Sequence, residues 1–181
     1  MNLSTRKLAY TALMAVVLCI CSWITVPFAV PFTMQTFAVF CALLLLGGKL
    51  GTLSIGIYIL MGMTGLPVFS GFRGGIGHII GPTGGYIVGF LFSGLFYILC
   101  EPLLEKNGKW KIPVLAGGLL LCYLVGTMWF KVVYSANGTD YGFWKILSIC
   151  VLPFLLPDML KLILAVFVSG RVGKVLKRKE K

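Results

Sequence analysis

The chain is poor in charge, in acidic residues and in histidine, and these shortages exclude several classes of enzyme. Only 12% of its 181 residues are charged, with 5 Asp or Glu and 1 His. A zinc protease of the H-E-x-x-H type needs two histidines beside a glutamate, so that class is excluded. No G-K-[ST] phosphate loop occurs, so we expect no ATPase. No plausible nucleophile–base set is present either, so we expect no enzymatic activity. Active transport would need energy from a partner or an ion gradient.

The cysteines do not indicate a disulfide framework or a metal site. Six are present, none forms a C-x-x-C pair, and all lie within apolar segments. A disulfide framework or a metal site is therefore poorly supported. We therefore expect the thiols to pack as small apolar side chains between helices. No metal and no organic cofactor is predicted.

Hydrophobic sequence, by contrast, is abundant: 59% of the residues are hydrophobic, and the mean hydropathy is +0.98. Several continuous apolar runs approach the roughly 20 residues that a helix needs to cross a bilayer. The runs do not alternate as membrane strands do. The sequence predicts an all-α, polytopic membrane protein with residues 1–181 in one domain. The six predicted spans are residues 8–26, 33–46, 50–66, 83–100, 112–133 and 144–168, with a tight turn at residues 47–49.

The basic residues predict the orientation in the membrane. The net charge is +11, and most Lys and Arg flank the apolar runs on one side. These are Arg6, Lys7, Lys49, Lys106, Lys109, Lys111 and the basic residues of the tail from Arg171 onward. Because such residues concentrate in cytoplasmic loops, both termini are predicted to be cytoplasmic. The same placement argues against nucleic-acid binding.

One stretch, "GFRGGIGHIIGPTGGY" at residues 71–86, combines seven glycines with Arg73 and the only histidine, His78. The orientation places it on the external side. Such a segment can fold inward and present backbone groups to a ligand, because glycine tolerates conformations closed to other residues. It can equally be a plain external loop whose glycines, including Gly84, Gly85 and Gly89, let helices approach closely. The sequence leaves both interpretations open.

Ionisable residues within a membrane span are candidates for function. Asp158 and Lys161, in "LPDMLKLIL", are three residues apart and therefore share one helix face. They can form a structural ion pair, or each can contact a ligand. Pro157 is expected to begin a helical segment here. Gln35 is a second buried polar candidate, which can also serve only to hold helices together.

The run "GPTGGYIVGF", residues 81–90, resembles the BioY family, the biotin-capturing S components of energy-coupling-factor (ECF) vitamin transporters. The segment "MQTFAVFCALLLLGGKLGTLSIGIYILMGMTGLPVFSG" and the run "PDMLK" agree with it. The resemblance spans the whole chain. It implies a six-helix S component in a prokaryotic cell membrane, which binds biotin from outside and docks on a transmembrane coupling subunit with two cytoplasmic ATPases.

The resemblance also implies a docking face on the first helix, where related S components carry an Ala-x-x-x-Ala pattern. Here "LAYTALMAV" supplies Ala9, Ala12 and Ala15, whereas Val16 stands where the pattern has alanine. Small side chains favour close contact between helices. These four residues are the candidates for contact with the coupling subunit.

Biotin has a ureido ring, an apolar sulfur ring and a carboxylate tail, and candidate contacts can be assigned to each. Asp158 can accept from a ureido N–H, and Lys161 can orient Asp158 or meet an oxygen of the ligand. Four aromatic residues are candidates for the apolar wall: Tyr86, Tyr58, Phe69 and Trp23. The candidates for the tail or for a lid are Arg73, His78, Gly81, Pro82, Thr83, Gly84 and Gly85. A stand-alone facilitator or channel for a small organic anion is the alternative function.

Overall fold

The computed structural model describes residues 4–27, 30–136, 138 and 142–178, and the fold is a helical bundle. The helices are α1 (Thr5–Trp23), α2 (Gln35–Met63), α3 (Ile76–Ile80), α4 (Gly84–Lys106), α5 (Lys111–Ala136), α6 (Phe143–Cys150) and α7 (Leu152–Arg178), with a short 3₁₀ turn at Gly108–Trp110. Strands β1 (Thr25–Val26) and β2 (Phe32–Thr33) pair antiparallel between α1 and α2.

Helix α2 crosses the bundle twice because it reverses direction at Gly47. This residue has φ 79° and ψ 174°, a conformation that is essentially restricted to glycine. Beyond the reversal, a Cβ on Gly51 would lie 2.8 Å from the carbonyl oxygen of Ala42, so the two arms pack closely. Five described helices are long and apolar enough to span a membrane. With α2 counted as two arms, the predicted six crossings and the turn at residues 47–49 are confirmed.

The last predicted span differs in detail from the expectation. It is divided at Val151, where φ is −126°, into α6 and α7. Pro157 lies inside α7, so the prediction that it begins a helical segment is wrong. The helix begins five residues earlier, and Pro153 occupies its first turn. A proline is tolerated there because the first N–H groups of a helix have no intrahelical partner.

The start of α1 and the end of α7 lie at one end of the bundle, together with the reversal of α2 and the start of α5. One cleft brings these elements together, since it is lined by Ser4, Leu46, Lys111 and Lys174. The side chain of Glu101, near the end of α4, accepts a hydrogen bond from the backbone N–H of Gly48 at 2.9 Å. The β-hairpin and α3 lie at the opposite end. The charge bias predicts that the first end is cytoplasmic and the second external, and the two ends are named accordingly.

Glycines allow α4 and α5 to pack against each other along their length. A Cβ on Gly85 would meet Trp129 at 2.2 Å, and one on Gly89 would meet Cys122 at 2.8 Å. On the facing helix, Gly126 leaves room for the ring of Tyr86. Close packing therefore explains Gly85 and Gly89, which was one of the two interpretations open from the sequence.

Candidate ligand-binding site

A narrow chamber lies in the external half of the bundle, between α2, α4, α5 and α7. Its volume is about 60 Å³. Six of its lining residues are candidates from the sequence: Gln35, His78, Thr83, Tyr86, Asp158 and Lys161. The chamber is walled on its apolar side by Ile87, Phe90 and Phe154. The structure thus brings together residues that are more than 120 positions apart in the sequence.

Asp158 and Lys161 are buried at the chamber wall and paired with each other. Their relative exposures are 3% and 6%. The Lys161 Nζ donates to Asp158 Oδ1 at 2.7 Å and to the carbonyl oxygen of Thr33 at 2.6 Å. It also lies 3.8 Å from the centre of the Phe32 ring, within cation–π range. Buried charges need such partners, because desolvating either charge alone is costly.

The Asp158 carboxylate accepts two further hydrogen bonds from the protein. The Thr36 hydroxyl donates to Oδ1 at 2.9 Å, and the Tyr123 hydroxyl donates to Oδ2 at 2.5 Å. A carboxylate has about four acceptor positions and an ammonium has three donors. Three acceptor positions of Asp158 and two donors of Lys161 are therefore in use. By this count, one acceptor position of Asp158 and one donor of Lys161 remain, and both residues line the chamber.

Behind Gln35 lies a column of packed rings that reaches the external loop. The Gln35 Nε2 donates to the Tyr58 hydroxyl at 2.5 Å. The Tyr58 ring meets Phe69 edge-on, with centroids 5.5 Å apart, and Phe69 stacks on His78 at 5.2 Å. Tyr58 and Phe69 are fully buried and do not line the chamber. They support Gln35 and His78, which do.

A wider vestibule of about 410 Å³ opens above the chamber. Arg73, Gly81 and Pro82 line only the vestibule, whereas His78 and Thr83 line both spaces. Partial burial, with a smaller contribution from the positive charge of Arg73, lowers the pKa of His78 below its ordinary value of 6.5. Neutral imidazole is therefore the favoured form at the boundary between chamber and vestibule.

Three other candidates lie away from both spaces. Trp23 is 37% exposed, stacks on Phe72 at 5.1 Å and donates to the carbonyl oxygen of Pro67. It therefore fastens the loop after α2 and does not wall the chamber. Gly84 and Gly85 are packing positions, since a Cβ on Gly84 would lie 1.6 Å from the carbonyl oxygen of Ile79. Gly84 lets the start of α4 rest against α3.

Comparison with known proteins identifies the family. A family model described as the BioY family matches residues 1–178. The chain belongs to the BioY family. Its relatives include the probable biotin transporter BioY of Pyrococcus horikoshii, which is 43% identical over 79% of this chain and 80% of the relative. The biotin transporter BioY of Thermotoga maritima is 34% identical over 94% of this chain and 97% of the relative.

The fold agrees with a solved structure of the same kind. A crystal structure of the S-component for biotin from an ECF-type ABC transporter superposes with a TM-score of 0.83 at 26% identity. The match covers 96% of this chain and 95% of the solved one. The expected S-component fold is therefore confirmed for this BioY family member, as is its nature as a multi-pass membrane protein rather than an enzyme.

The candidate docking residues on α1 fall on two different faces. Ala9, Ala12 and Val16 are exposed. Ala15 is 1% exposed and packs inside the bundle, so it is not part of the outward face in this structure. The physical reason is helical spacing: Ala15 follows Thr11 by one turn, and Thr11 is also fully buried. The outward stripe thus consists of Ala9, Ala12 and Val16.

Sequence reasoning missed several residues of the site. Thr36 and Tyr123 both donate to Asp158, and Thr33 contributes its backbone carbonyl to Lys161. Tyr123 gave a usable signal, because a single phenol within the apolar run "LLLCYLVG" needs a hydrogen-bond partner when buried. Thr33 gave none, since a backbone carbonyl carries no side-chain signature. Cys122 and Cys150 also line the chamber, although the sequence suggested packing alone.

Proposed function

We propose that this chain binds biotin from the external side of the membrane, as the S component of an ECF-type vitamin transporter. The observation that carries the proposal is that Asp158 retains one acceptor position and Lys161 one donor in the wall of the same chamber. A ureido group presents an N–H and a C=O side by side, so it complements this pair. The names of the relatives and of the matched S-component give independent support.

The two connected spaces suggest how the ligand lies. The chamber alone is below the range of about 300–1,000 Å³ that is typical of ligand pockets, whereas the chamber and vestibule together reach it. We place the ureido ring at Asp158 and the carboxylate tail in the vestibule near Arg73. The reverse orientation would bring the tail carboxylate against Asp158, and like charges at close range repel.

We further propose that the protein acts with a transmembrane coupling subunit and two cytoplasmic ATPases in a prokaryotic cell membrane. Support comes from the exposed small residues Ala9 and Ala12 on α1 and from the ECF-type transporter to which the matched S-component belongs. Co-purification from cells that express all components is the direct test. The alternative of a stand-alone facilitator predicts biotin uptake into liposomes that contain this chain alone.

Calorimetric titration of the detergent-purified protein with biotin tests the binding proposal. Asp158→Asn keeps the side-chain shape but removes the charge that strengthens the ureido hydrogen bond. Hydrogen bonds to charged groups contribute about 1.5–3 kcal/mol, so biotin should bind roughly 10- to 150-fold more weakly. Ser169→Ala is the matched control, because Ser169 is a buried polar residue of the same helix near its cytoplasmic end. The Ser169→Ala variant should bind biotin with the affinity of the parent protein.

Ligand analogues repeat the test on the unaltered protein, so that a folding defect cannot mimic the result. Biotin methylated on its ureido nitrogens should bind weakly, because it has no N–H to offer Asp158. Biotinamide lacks the tail charge, so the parent protein should bind it more weakly than biotin. The Arg73→Gln variant should bind biotinamide and biotin with similar affinity. Equal affinity of biotin and its ureido-methylated analogue would overturn the assignment of the ureido group to Asp158.

A further inference from the structure

A second cleft lies at the cytoplasmic end of the bundle, far from the ligand chamber. It is formed by α1, both arms of α2 near their reversal, the start of α5 and the end of α7, and its volume is about 650 Å³. Its lining includes Arg6, Lys7, Lys111, Lys174, Gly170 and Gly173. The cleft belongs neither to the ligand site nor to the outward stripe of α1.

The polar rim of the cleft is basic. Among its described lining residues four are cationic and none is acidic. Lys7, Lys111 and Lys174 are exposed, and none has a carboxylate within ion-pair distance in the described part of the chain. Asp158 is engaged in the ligand chamber, and Glu101 is engaged at the reversal of α2. Uncompensated cations from three separate helices converge on one space and favour an anionic occupant.

The floor of the cleft is apolar and open. Leu44, Leu45, Leu46 and Leu50 are only partly buried and face the space from the two arms of α2. On α7, a Cβ added to Gly170 or Gly173 would meet no atom within 4 Å. The cleft thus offers a ring of positive charge above an uncovered hydrocarbon surface. Inorganic phosphate would use only the first of these features.

We propose that this cleft binds an anionic phospholipid of the cytoplasmic leaflet. The lipid phosphate lies between Lys7, Lys111 and Lys174, and the first carbons of an acyl chain cover the leucines of α2. Basic pockets between transmembrane helices at the cytoplasmic face have the chemistry that recognises such headgroups. Because the site joins α1, α2, α5 and α7, a bound lipid would connect the start of the bundle to its last helix.

Native mass spectrometry of the purified full chain, titrated with phosphatidylglycerol or phosphatidylcholine, tests the proposal. Phosphatidylglycerol should bind at a defined stoichiometry and more tightly than phosphatidylcholine. A Lys7→Ala/Lys111→Ala/Lys174→Ala variant should lose at least about tenfold in phosphatidylglycerol affinity, given that each lysine near the headgroups makes a substantial contribution. The matched control is Lys49→Ala/Lys106→Ala/Lys109→Ala, which removes the same charge at the same end but from residues that do not line the cleft.

Several outcomes would overturn the proposal. One is equal affinity for the two lipids, and another is an equal loss in the two triple variants, which would indicate a diffuse surface effect. Displacement of phosphatidylglycerol by millimolar inorganic phosphate would indicate a site for free anions. Loss of coupling-subunit co-purification in the cleft variant, with unchanged lipid binding, would mark the cleft as a protein interface. Biotin affinity serves as the folding control throughout.

Discussion

The two ends of the bundle hold their charges in opposite ways. At the external end, Asp158 and Lys161 are buried and paired, and together they retain one free acceptor and one free donor. At the cytoplasmic end, Lys7, Lys111 and Lys174 are exposed and have no carboxylate partner among the described residues. The external end can recognise a ligand by the geometry of single hydrogen bonds. The cytoplasmic end can recognise only charge and an apolar surface.

The difference predicts where a substitution is tolerated. A buried pair is sensitive to the loss of one partner, because the other is left as an uncompensated charge in a low-dielectric environment. Exposed cations that lack partners lose little folding free energy when removed, since water already solvates them. Substitutions at the buried pair, at two glycines and at the loop histidine test this contrast.

The largest effect is expected for Asp158→Leu. Breaking a buried pair by removing one partner costs about 3–5 kcal/mol, because Lys161 remains buried without its counter-charge. The double variant Asp158→Leu/Lys161→Met removes both charges and should recover most of that stability, while still failing to bind biotin. Unfolding of the detergent-solubilised variants, followed by circular dichroism during an SDS titration, measures both differences.

This pair of variants separates a structural role from a binding role. If the double variant bound biotin as the parent does, the ion pair would be structural only and the proposed ureido contact would be wrong. If the single variant were as stable as the parent, burial of Lys161 in the folded state would be contradicted. Lys106→Ala is the control from the cytoplasmic end, and its stability should match that of the parent.

The next effect contrasts packing at the two ends. A Cβ on Gly84, at the external end, would lie 1.6 Å from a backbone oxygen, whereas a Cβ on Gly170, at the cytoplasmic end, would meet nothing within 4 Å. Gly84→Ala should therefore cost about 3 kcal/mol, the upper part of the range for overpacking. Gly170→Ala should be neutral or slightly stabilising, because alanine has the higher helix propensity. Melting temperatures followed by intrinsic fluorescence give the comparison.

Much of the architecture could be predicted because it depends on composition along the chain. Apolar run length and the placement of Lys and Arg predict the six spans and the turn at residues 47–49. They also predict that the start of α1 and the end of α7 lie at one end. The pairing of Asp158 with Lys161 follows from helical spacing. These features need no knowledge of which helix packs against which.

Features that depend on helix packing could not be predicted. The Tyr123 hydroxyl reaches Asp158 only because α5 and α7 are neighbours, and Phe69 supports His78 only because the external loop folds back over α2. The sequence predicts Trp23 in the binding site, whereas in the structure it contacts the loop after α2 from the outside. The position of Pro157 was misjudged because Pro153 can begin the same helix equally well. In each case the deciding partner is distant in sequence.

The reversal of α2 at Gly47 is a feature of the cytoplasmic end that depends on backbone conformation rather than on charge. Gly47→Ala places a Cβ at φ 79° and 3.1 Å from Glu101 Oε1, so we expect a cost of about 2 kcal/mol. Gly56→Ala in the second arm of α2 is the control, because its Cβ would meet nothing within 4 Å. Equal melting temperatures for the two variants would contradict the observed reversal. Thermal unfolding in detergent provides the measurement.

The smallest effect concerns His78, the one group of the external end whose charge changes near neutral pH. Burial and the neighbouring Arg73 lower its pKa in the folded protein below 6.5, so the folded state binds a proton less readily than the unfolded chain. Above about pH 6.5 the imidazole is neutral in both states and does not change the free energy of unfolding. As the pH drops through that value toward the lower folded pKa, the unfolded chain takes up the proton first and the folded state loses stability. We expect a loss below about 1 kcal/mol, because the side chain is only partly buried and solvent screens its charge.

The single histidine makes this small effect measurable. Melting temperatures of the parent and of His78→Gln, taken from pH 7.5 to 5.5, share every carboxylate titration, so their difference isolates the imidazole. The parent should lose more stability than the variant on acidification, and Arg73→Gln should reduce that excess loss by removing the nearby positive charge. A parallel pH dependence of parent and His78→Gln would mean that the imidazole is solvated as in the unfolded chain, contrary to its stacking on Phe69. The external end would then resemble the cytoplasmic end, with charges governed by solvent rather than by packing.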